Sequence, residues 1–119
     1  MPTDWGENII LSELSDEPEL SEEFAALFSA LKEAPPGGAR HVVLNFAGVR
    51  YLNSSHIAQL LRMRKQLQLA NRSLVLCSLG DDVWSVLLLS GLDKVFRFAP
   101  DPVTALAGLQ IEDQHAENA

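Results

Sequence analysis

Four polar side chains stand together near the middle of the chain, in the run Asn53-Ser54-Ser55-His56. A serine hydroxyl can cap a helix, accept a phosphoryl group, or attack a substrate when a base lies close to it. Attack is disfavoured because Ser55 and His56 are sequence neighbours, and neighbours on a helix do not face each other. No glycine-flanked nucleophile turn surrounds the serines. The residues therefore favour capping or phosphorylation, and we predict that the protein is not an enzyme.

The other residues that could do chemistry favour structural roles. His41 and His115 are isolated, with no second histidine at the helical spacing of metal ligands and no cysteine cluster. Gly37-Gly38 lacks the lysine that follows in a phosphate-binding loop. Asp81-Asp82 is predicted to cap a helix, and Cys77 lies in an apolar run that predicts a small core residue. We therefore expect neither a metal nor any other cofactor.

The elements around the serine pair predict its position at the edge of a sheet. The run His41–Phe46 is almost continuously apolar, which predicts a central strand covered on both faces. A short connection follows, and Ser54 or Ser55 is predicted to cap a long helix that ends near Ala70. A phosphate there would be favoured by about 0.3–1 kcal/mol and would add about two negative charges. The apolar side of this helix is predicted to consist of Ile57, Leu60, Leu61 and Leu67.

Strands and helices alternate along the rest of the chain. Residues 8–11 predict a weak strand, residues 12–18 a polar turn, and Ser21 the cap of a helix that ends before Pro35-Pro36. The buried stripe of that helix is predicted to contain Phe24, Leu27, Phe28 and Leu31. After the long helix, the pattern predicts a strand at 74–78, a helix at 83–89, a strand at 95–98, and a last helix from Pro102 to about residue 110.

This order of elements predicts an α/β fold with one domain at residues 1–110. We expect a mostly parallel central sheet of four to five strands with about four helices and right-handed crossovers. Residues 111–119 are predicted to form a flexible tail. Functional groups of such folds collect at the carboxyl ends of the strands, which is where the serine pair is expected.

The charge distribution limits the classes of partner. The net charge is −7; residues 1–33 are strongly acidic, whereas residues 34–80 contain no Asp or Glu. An acidic total disfavours direct binding of nucleic acid, which needs an accessible basic face. The bases Arg62, Arg64 and Lys65 fall on the long helix. They form either a solvated face or a docking face for an acidic protein partner.

The compartment is expected to be the cytoplasm. Cys77 is the only cysteine, so no internal disulfide can form, and this fits a reducing environment. The segment Met1–Asp4 is polar and acidic, unlike the start of a secretory signal. The longest apolar-rich stretch, Val83–Leu89, is too short to span a bilayer, so we expect no membrane insertion.

The run from Val42 to Leu61 resembles the core motif of STAS domains, and in particular that of bacterial anti-sigma factor antagonists. The family pattern is an apolar strand, a turn that ends in Asp-Ser-Ser-Gly, and a helix rich in leucine and small residues. The resemblance continues through the strand at 74–78 and the helix that ends in the run from Ser90 to Phe96. It covers about residues 40–107.

The resemblance implies a switch protein. In the family, the second serine of the pair, here Ser55, is phosphorylated by a partner kinase that is often the anti-sigma factor itself. The unphosphorylated protein binds that partner, the phosphorylated protein releases it, and a serine phosphatase resets the switch. Arg62, Arg64 and Lys65 would lie along the helix that the family uses for partner contact. The resemblance also extends to STAS subunits of lipid ABC transporters and to scaffold components of stress-signalling assemblies.

Three departures from the family pattern bear on this function. Asn53 replaces the usual Asp, so a cap-competent side chain remains but a charge is lost. His56 replaces the usual Gly and is expected to add bulk beside the phosphosite. The run Ser12-Glu13-Leu14-Ser15 stands near the family's Gly-x-Leu-Asp loop and lacks both its Gly and its Asp. The oligomeric state does not follow from any of these residues.

Overall fold

The computed structural model describes residues 2–4, 8–35 and 37–118. Its elements, in chain order, are β1 (Pro2–Asp4), β2 (Ile9–Ser15), α1 (Glu19–Glu33), β3 (His41–Gly48), α2 (Ser54–Leu69), β4 (Leu74–Cys77), α3 (Asp81–Leu89), a 3₁₀ turn (Leu92–Lys94), β5 (Arg97–Ala99) and α4 (Pro102–Asn118).

β3 is the central strand of a five-stranded sheet with the order β1-β2-β3-β4-β5. The strands β2 to β5 run parallel, and β1 pairs with β2 antiparallel. The first six residues of β3 are all buried, as the continuous apolar run predicted, because helices cover both faces of a parallel sheet. The predicted α/β class, with a mostly parallel sheet and about four helices, is confirmed.

The helices α1, α2 and α3 contribute to the core on one face of the sheet. Leu44 and Phe46 of β3 share a buried cluster there with Phe24 of α1 and with Leu60 and Met63 of α2. All five side chains are almost fully buried. Burial of one such side chain stabilises the fold by about 1.5–3 kcal/mol relative to an exposed position. This layer therefore holds α2 against the sheet, and it thereby fixes the position of the serine pair at the start of α2.

The helix α4 packs on the opposite face, where the alternate residues of the strands point. Val43 of β3 and Val75 of β4 share a second buried cluster with Leu106 and Leu109 of α4. No helix in the described ranges combines the length and the apolar character that crossing a membrane requires.

β2, the first strand that the sequence predicted, ends later than expected, and α1 begins earlier than expected but ends before Pro35 as predicted. β2 continues to Ser15, so the polar turn predicted at 12–18 is wrong for its first half. Ser12 is completely buried because its hydroxyl donates a hydrogen bond of 2.7 Å to Glu23 of α1. The helix α1 starts at Glu19, with Pro18 at the cap position, and Ser21 lies inside the helix.

The buried stripes of α1 and α2 also differ from the prediction. Phe28 of α1 is half-buried, and Leu20 takes a core position in its place. In α2, Ile57 and Leu61 lie outside the core, whereas His56 and Met63 are buried. The prediction chose the wrong face of α2 because it treated histidine as a polar residue that would not be buried. The buried residues of α2 are His56, Leu60, Met63 and Leu67.

The C-terminal third shows three further corrections. Gly80, not Asp81 or Asp82, precedes α3 as its cap residue. The last strand occupies Arg97–Ala99 because the 3₁₀ turn takes up the residues before it. α4 starts at Pro102 as predicted but runs to Asn118, well beyond residue 110. Mobility of residues 111–119 stays a prediction, and Ala119 lies outside the described residues.

Candidate functional site

The site lies where the loops after β2 and β3 meet, at the carboxyl ends of these two neighbouring parallel strands. Asp16, in the loop after β2, reaches the loop after β3. One oxygen of its carboxylate accepts hydrogen bonds from the backbone N–H groups of Arg50, at 2.9 Å, and Tyr51, at 3.3 Å. The first loop therefore holds the segment that leads into α2.

Asn53 is the N-cap residue of α2, which corrects the prediction that Ser54 or Ser55 is the cap. Its Oδ1 accepts a hydrogen bond of 2.9 Å from the backbone N–H of His56. In return, the backbone N–H of Asn53 donates to Nδ1 of His56 at 3.1 Å. The pair forms a reciprocal capping box in which histidine takes the position that Glu or Gln usually occupies.

The ring of His56 points into the protein, with only 1% of the residue exposed. Because Nδ1 accepts a hydrogen bond, the proton of the neutral ring lies on Nε2, which is 3.3 Å from Oε2 of Glu17. The ring of Phe24 meets the imidazole edge-on, with 6.2 Å between ring centroids. The expected bulk beside the phosphosite is therefore absent, because the ring fills the core beneath α2.

Glu17 connects the loop after β2 to both helices. Its carboxylate accepts hydrogen bonds from the hydroxyl and from the backbone N–H of Ser21. These two bonds, with a smaller contribution from His56, lower the pKa of Glu17 below its usual range. Sequence reasoning missed Asp16 and Glu17. Their signal was available, because two acids follow a strand at the carboxyl edge of a parallel sheet.

Ser54 and Ser55 occupy the first turn of α2, and both are exposed. The amide of Gln59, one turn further along, donates to Oγ of Ser55 at 3.4 Å. In the described part of the chain, the backbone N–H groups of these two serines have no protein acceptor. The dipole of α2 adds a partial positive charge at this end. The arrangement can accommodate an anion on the Ser55 hydroxyl without disturbing the core.

The geometry disfavours nucleophilic catalysis by Ser55. The buried ring of His56 is engaged by Asn53 and Glu17 on its two nitrogens, whereas the Ser55 side chain lies outside in solvent. Within residues 8–35 and 37–113, no group of three His, Cys, Asp or Glu side chains could hold a metal ion.

The three bases predicted for partner contact lie on two sides of α2: the exposed Arg62 and Lys65 are three residues apart and share one face, whereas Arg64 lies on another. Arg62 is exposed and lines a hollow between α1 and α2. Arg64 is half-buried and lines a different hollow, together with Arg72 and Arg97, towards β4 and β5. Lys65 is exposed and lines neither. Among these three bases, Arg62 is therefore the one that lines the hollow between α1 and α2.

Comparison with known proteins agrees with this fold. Residues 10–105 match the STAS domain family. The chain is similar in structure to an anti-sigma-factor antagonist (STAS) domain protein from Planctomyces limnophilus, with a TM-score of 0.77 and 21% identity over 92% of this chain and 97% of that one.

Two further structures are similar. One is the phosphorylated form of the Bacillus cell fate determinant SpoIIAA, with a TM-score of 0.67 and 17% identity over 90% of this chain and 96% of that one. The other is a serine-to-glutamate variant of RsbS from Moorella thermoacetica, with a TM-score of 0.75 and 13% identity over 92% and 93%. At these identities the likeness establishes the shared fold, and the family match extends over most of the sequence. The chain therefore belongs to the STAS domain family.

Proposed function

We propose that this protein is an anti-sigma factor antagonist whose binding is gated by phosphorylation of Ser55. With a free Ser55 hydroxyl, it sequesters an anti-sigma factor that is also a serine kinase. Phosphorylation releases that partner, and a serine phosphatase restores the binding form. In this role the protein acts in the cytoplasm as a binding protein without enzyme activity, and it contacts neither nucleic acid nor membrane directly.

The observation that carries this proposal is the exposed position of Ser55 in the first turn of α2. Ser54 precedes it, and Asn53 and His56 hold the turn in one conformation through their reciprocal hydrogen bonds. A kinase needs an accessible hydroxyl, and a switch needs a hydroxyl whose modification leaves the fold intact. Ser55 meets both conditions, because the core contacts of the turn belong to its neighbour His56.

The chemistry of gating is electrostatic. A phosphate on Ser55 brings about two negative charges to the N-terminus of α2, where the helix dipole favours an anion. The modified protein therefore remains folded, while a partner surface that fits the neutral hydroxyl meets a new, strongly hydrated dianion. The serine-to-glutamate variant of RsbS and the phosphorylated form of SpoIIAA share this fold, which supports the comparison.

The test uses each serine-kinase-type anti-sigma factor of the source organism, purified and incubated with ATP and this protein. We expect mass spectrometry to find one phosphate on the wild type and on Ser54→Ala, and none on Ser55→Ala. In calorimetry, the wild type and Ser55→Ala should bind the same kinase. Ser55→Asp should bind at least about tenfold more weakly, because the complex would desolvate its charge or place it beside a like charge.

Two results would contradict the proposal. Phosphate on Ser54 in place of Ser55 would show that the proposal names the wrong serine. Equal affinity of wild type and Ser55→Asp would remove the gating. Co-purification with an ATPase subunit, with full function in Ser55→Ala, would then favour the transporter role, and large assemblies in light scattering would favour the scaffold role.

A further inference from the structure

Two successive hollows lie along the seam between α1 and α2, beside the candidate phosphosite, and together they form what we call the α1–α2 groove. Its upper hollow has a volume of about 300 Å³ and is lined by Ser21, Phe24, Ala25, Phe28, Gln59, Arg62 and Met63. A second hollow of about 340 Å³ lies one helical turn further along, where Lys32 follows Phe28 and Gln66 follows Arg62. Leu69, at the lower end of this second hollow, is 74% exposed.

The two hollows together extend along α1 for about the length of a short helix. From Ser21 to Lys32 the α1 wall extends about 16 Å, at 1.5 Å per residue, which is about three helical turns. The floor is apolar, and the ring of Phe28 is only half-buried in it. Grooves of this shape accept amphipathic helices that place apolar side chains at intervals of three and four residues.

The charged residues that line the two hollows are both cations. Arg62 stands on the α2 wall of the upper hollow and Lys32 on the α1 wall of the lower one, with its ammonium group 5.3 Å from the centre of the Phe28 ring. Among the described residues, neither cation makes an ion pair. Glu22 and Glu33 of α1 are exposed but do not line either hollow. The lining therefore attracts an acidic occupant.

The groove is connected to the candidate phosphosite through one side chain. Gln59 lines the upper hollow and donates its amide to Oγ of Ser55. The acid next to this end, Glu17, is already engaged by Ser21 and His56. A phosphate on Ser55 would add negative charge at the mouth of a groove whose charged lining residues are the cations Arg62 and Lys32.

We propose that the α1–α2 groove binds an acidic amphipathic helix of the partner protein, with apolar anchors on Phe28 and carboxylates near Arg62 and Lys32. This inference rests on the proposed function for the identity of the partner and adds the chemistry of its binding segment. It also provides a physical reason for gating, because a phosphate on Ser55 and an acidic helix repel each other.

The first experiment tests the groove without the partner. The probe is a fluorescein-labelled helical peptide of about three to four turns, with leucines at helical spacing on one face and glutamates on the other. We expect its anisotropy to report binding to the wild type, and a peptide with lysines in place of glutamates to bind at least roughly tenfold more weakly. Arg62→Glu and Lys32→Glu should each weaken the acidic peptide by roughly five- to tenfold.

Lys94→Glu is the matched control, because Lys94 is exposed in the 3₁₀ turn and lines neither hollow. It changes the net charge by the same amount and should leave the peptide affinity unchanged within about twofold. Circular dichroism of every variant checks that it is folded. Equal weakening by Lys94→Glu and Arg62→Glu, or equal binding of the two peptides, overturns the inference. A second copy of this chain in the groove would appear as a dimer in light scattering that Lys32→Glu dissolves, and this also overturns it.

The second experiment separates this inference from the proposed function by repeating the series with the anti-sigma kinase. If Ser55→Asp releases the kinase but Lys32→Glu and Phe28→Ala do not, the groove assignment fails and the gating stands. If the groove variants lose the kinase and Ser55→Asp keeps it, the gating fails and the groove stands. Loss of the kinase in both sets, with Lys94→Glu unaffected, supports both.

Discussion

Nε2 of His56 lies 3.3 Å from Oε2 of Glu17, and this contact joins α2 to the loop after β2. The ring uses its other nitrogen to accept the backbone N–H of Asn53, so one buried side chain connects the cap of α2 to an acid from the preceding loop. Asp16, next to Glu17, holds the backbone of Arg50 and Tyr51. The loops after β2 and β3 are therefore connected to each other and to the start of α2.

Removal of the Asn53 side chain should weaken the start of α2. Asn53→Ala loses the acceptor for the backbone N–H of His56, and we expect about 1 kcal/mol less stability in denaturant unfolding. Asn53→Asp, which restores the usual family residue, is the matched control and should be nearly neutral, because Asp accepts the same hydrogen bond. A loss of similar size in both variants would show that the amide nitrogen, and not the cap oxygen, is the important group.

Truncation of His56 should cost more than truncation of its partner. His56→Ala leaves a cavity beside Phe24 and removes the acceptor for the backbone N–H of Asn53, so we expect a loss of roughly 2–4 kcal/mol. His56→Gln keeps a capping-box acceptor at the same helical position and should recover part of this loss. Chemical denaturation of both variants measures the difference, and identical stability of the two would mean that the capping-box acceptor contributes nothing.

Glu17 should make stability depend on pH in the acid range. Its pKa is lowered by the hydrogen bonds from Ser21, so the ionised carboxylate is favoured in the folded state. The stabilisation is therefore complete above the ordinary carboxyl value of 4.5 and is lost as the pH falls through the lower folded value. We expect wild type to melt above Glu17→Gln at pH 7 and the gap to close in strong acid. Glu19→Gln, an exposed first-turn acid of α1, is the control, and a gap that does not change with pH contradicts the prediction.

Cys77 should be unreactive in the native protein. It is buried in β4, and burial is the main cause that raises the pKa of its thiol to about 11. Only about one thiol in a thousand is then ionised at pH 8, and the thiolate is the reactive form. Because the pKa of the Cys77 thiol is raised in the folded state, the protonated thiol contributes to the stability of the fold below the ordinary value of 9.0. This contribution is lost as the pH rises through about 11. We expect Ellman's reagent to label Cys77 at pH 8 only after unfolding in guanidinium; rapid labelling of folded protein would contradict the burial.

Asp113 should anchor the second half of α4. Its carboxylate lies 2.9 Å from Nε2 of His41, while Nδ1 of the same ring accepts the backbone N–H of Ser73 at 2.9 Å. We expect Asp113→Ala to speed amide exchange in the last turns of α4 by roughly five- to tenfold, about 1–1.4 kcal/mol of local stability, with little change in the sheet. Ile111→Ala, at an exposed position on the same helix, is the control. Exchange that is already fast in the wild type would support the flexible tail predicted from the sequence.

The sequence by itself determined the class of fold and the place of the serine pair. The apolar run at His41–Phe46 and the alternation of strands with helices predicted a central buried strand and a parallel sheet, because burial on both faces demands continuous apolar residues. Pro102 correctly marked the start of α4. These signals are local, since each depends on residues a few positions apart.

Only the tertiary structure decided which polar residues are buried and which cap the helices. Ser12 lies in the core with the carboxylate of Glu23 as its hydrogen-bond acceptor, and His56 lies there with the carboxylate of Glu17 beside its Nε2. Both partners are distant in the sequence, so no local pattern contains them. The capping box is local, but it depends on this burial: Asn53, and neither serine, is the cap of α2, with the buried His56 ring accepting its backbone N–H. Burial of a polar group depends on whether a partner is available in space, and that availability follows from the packing of α1 and α2 on one sheet.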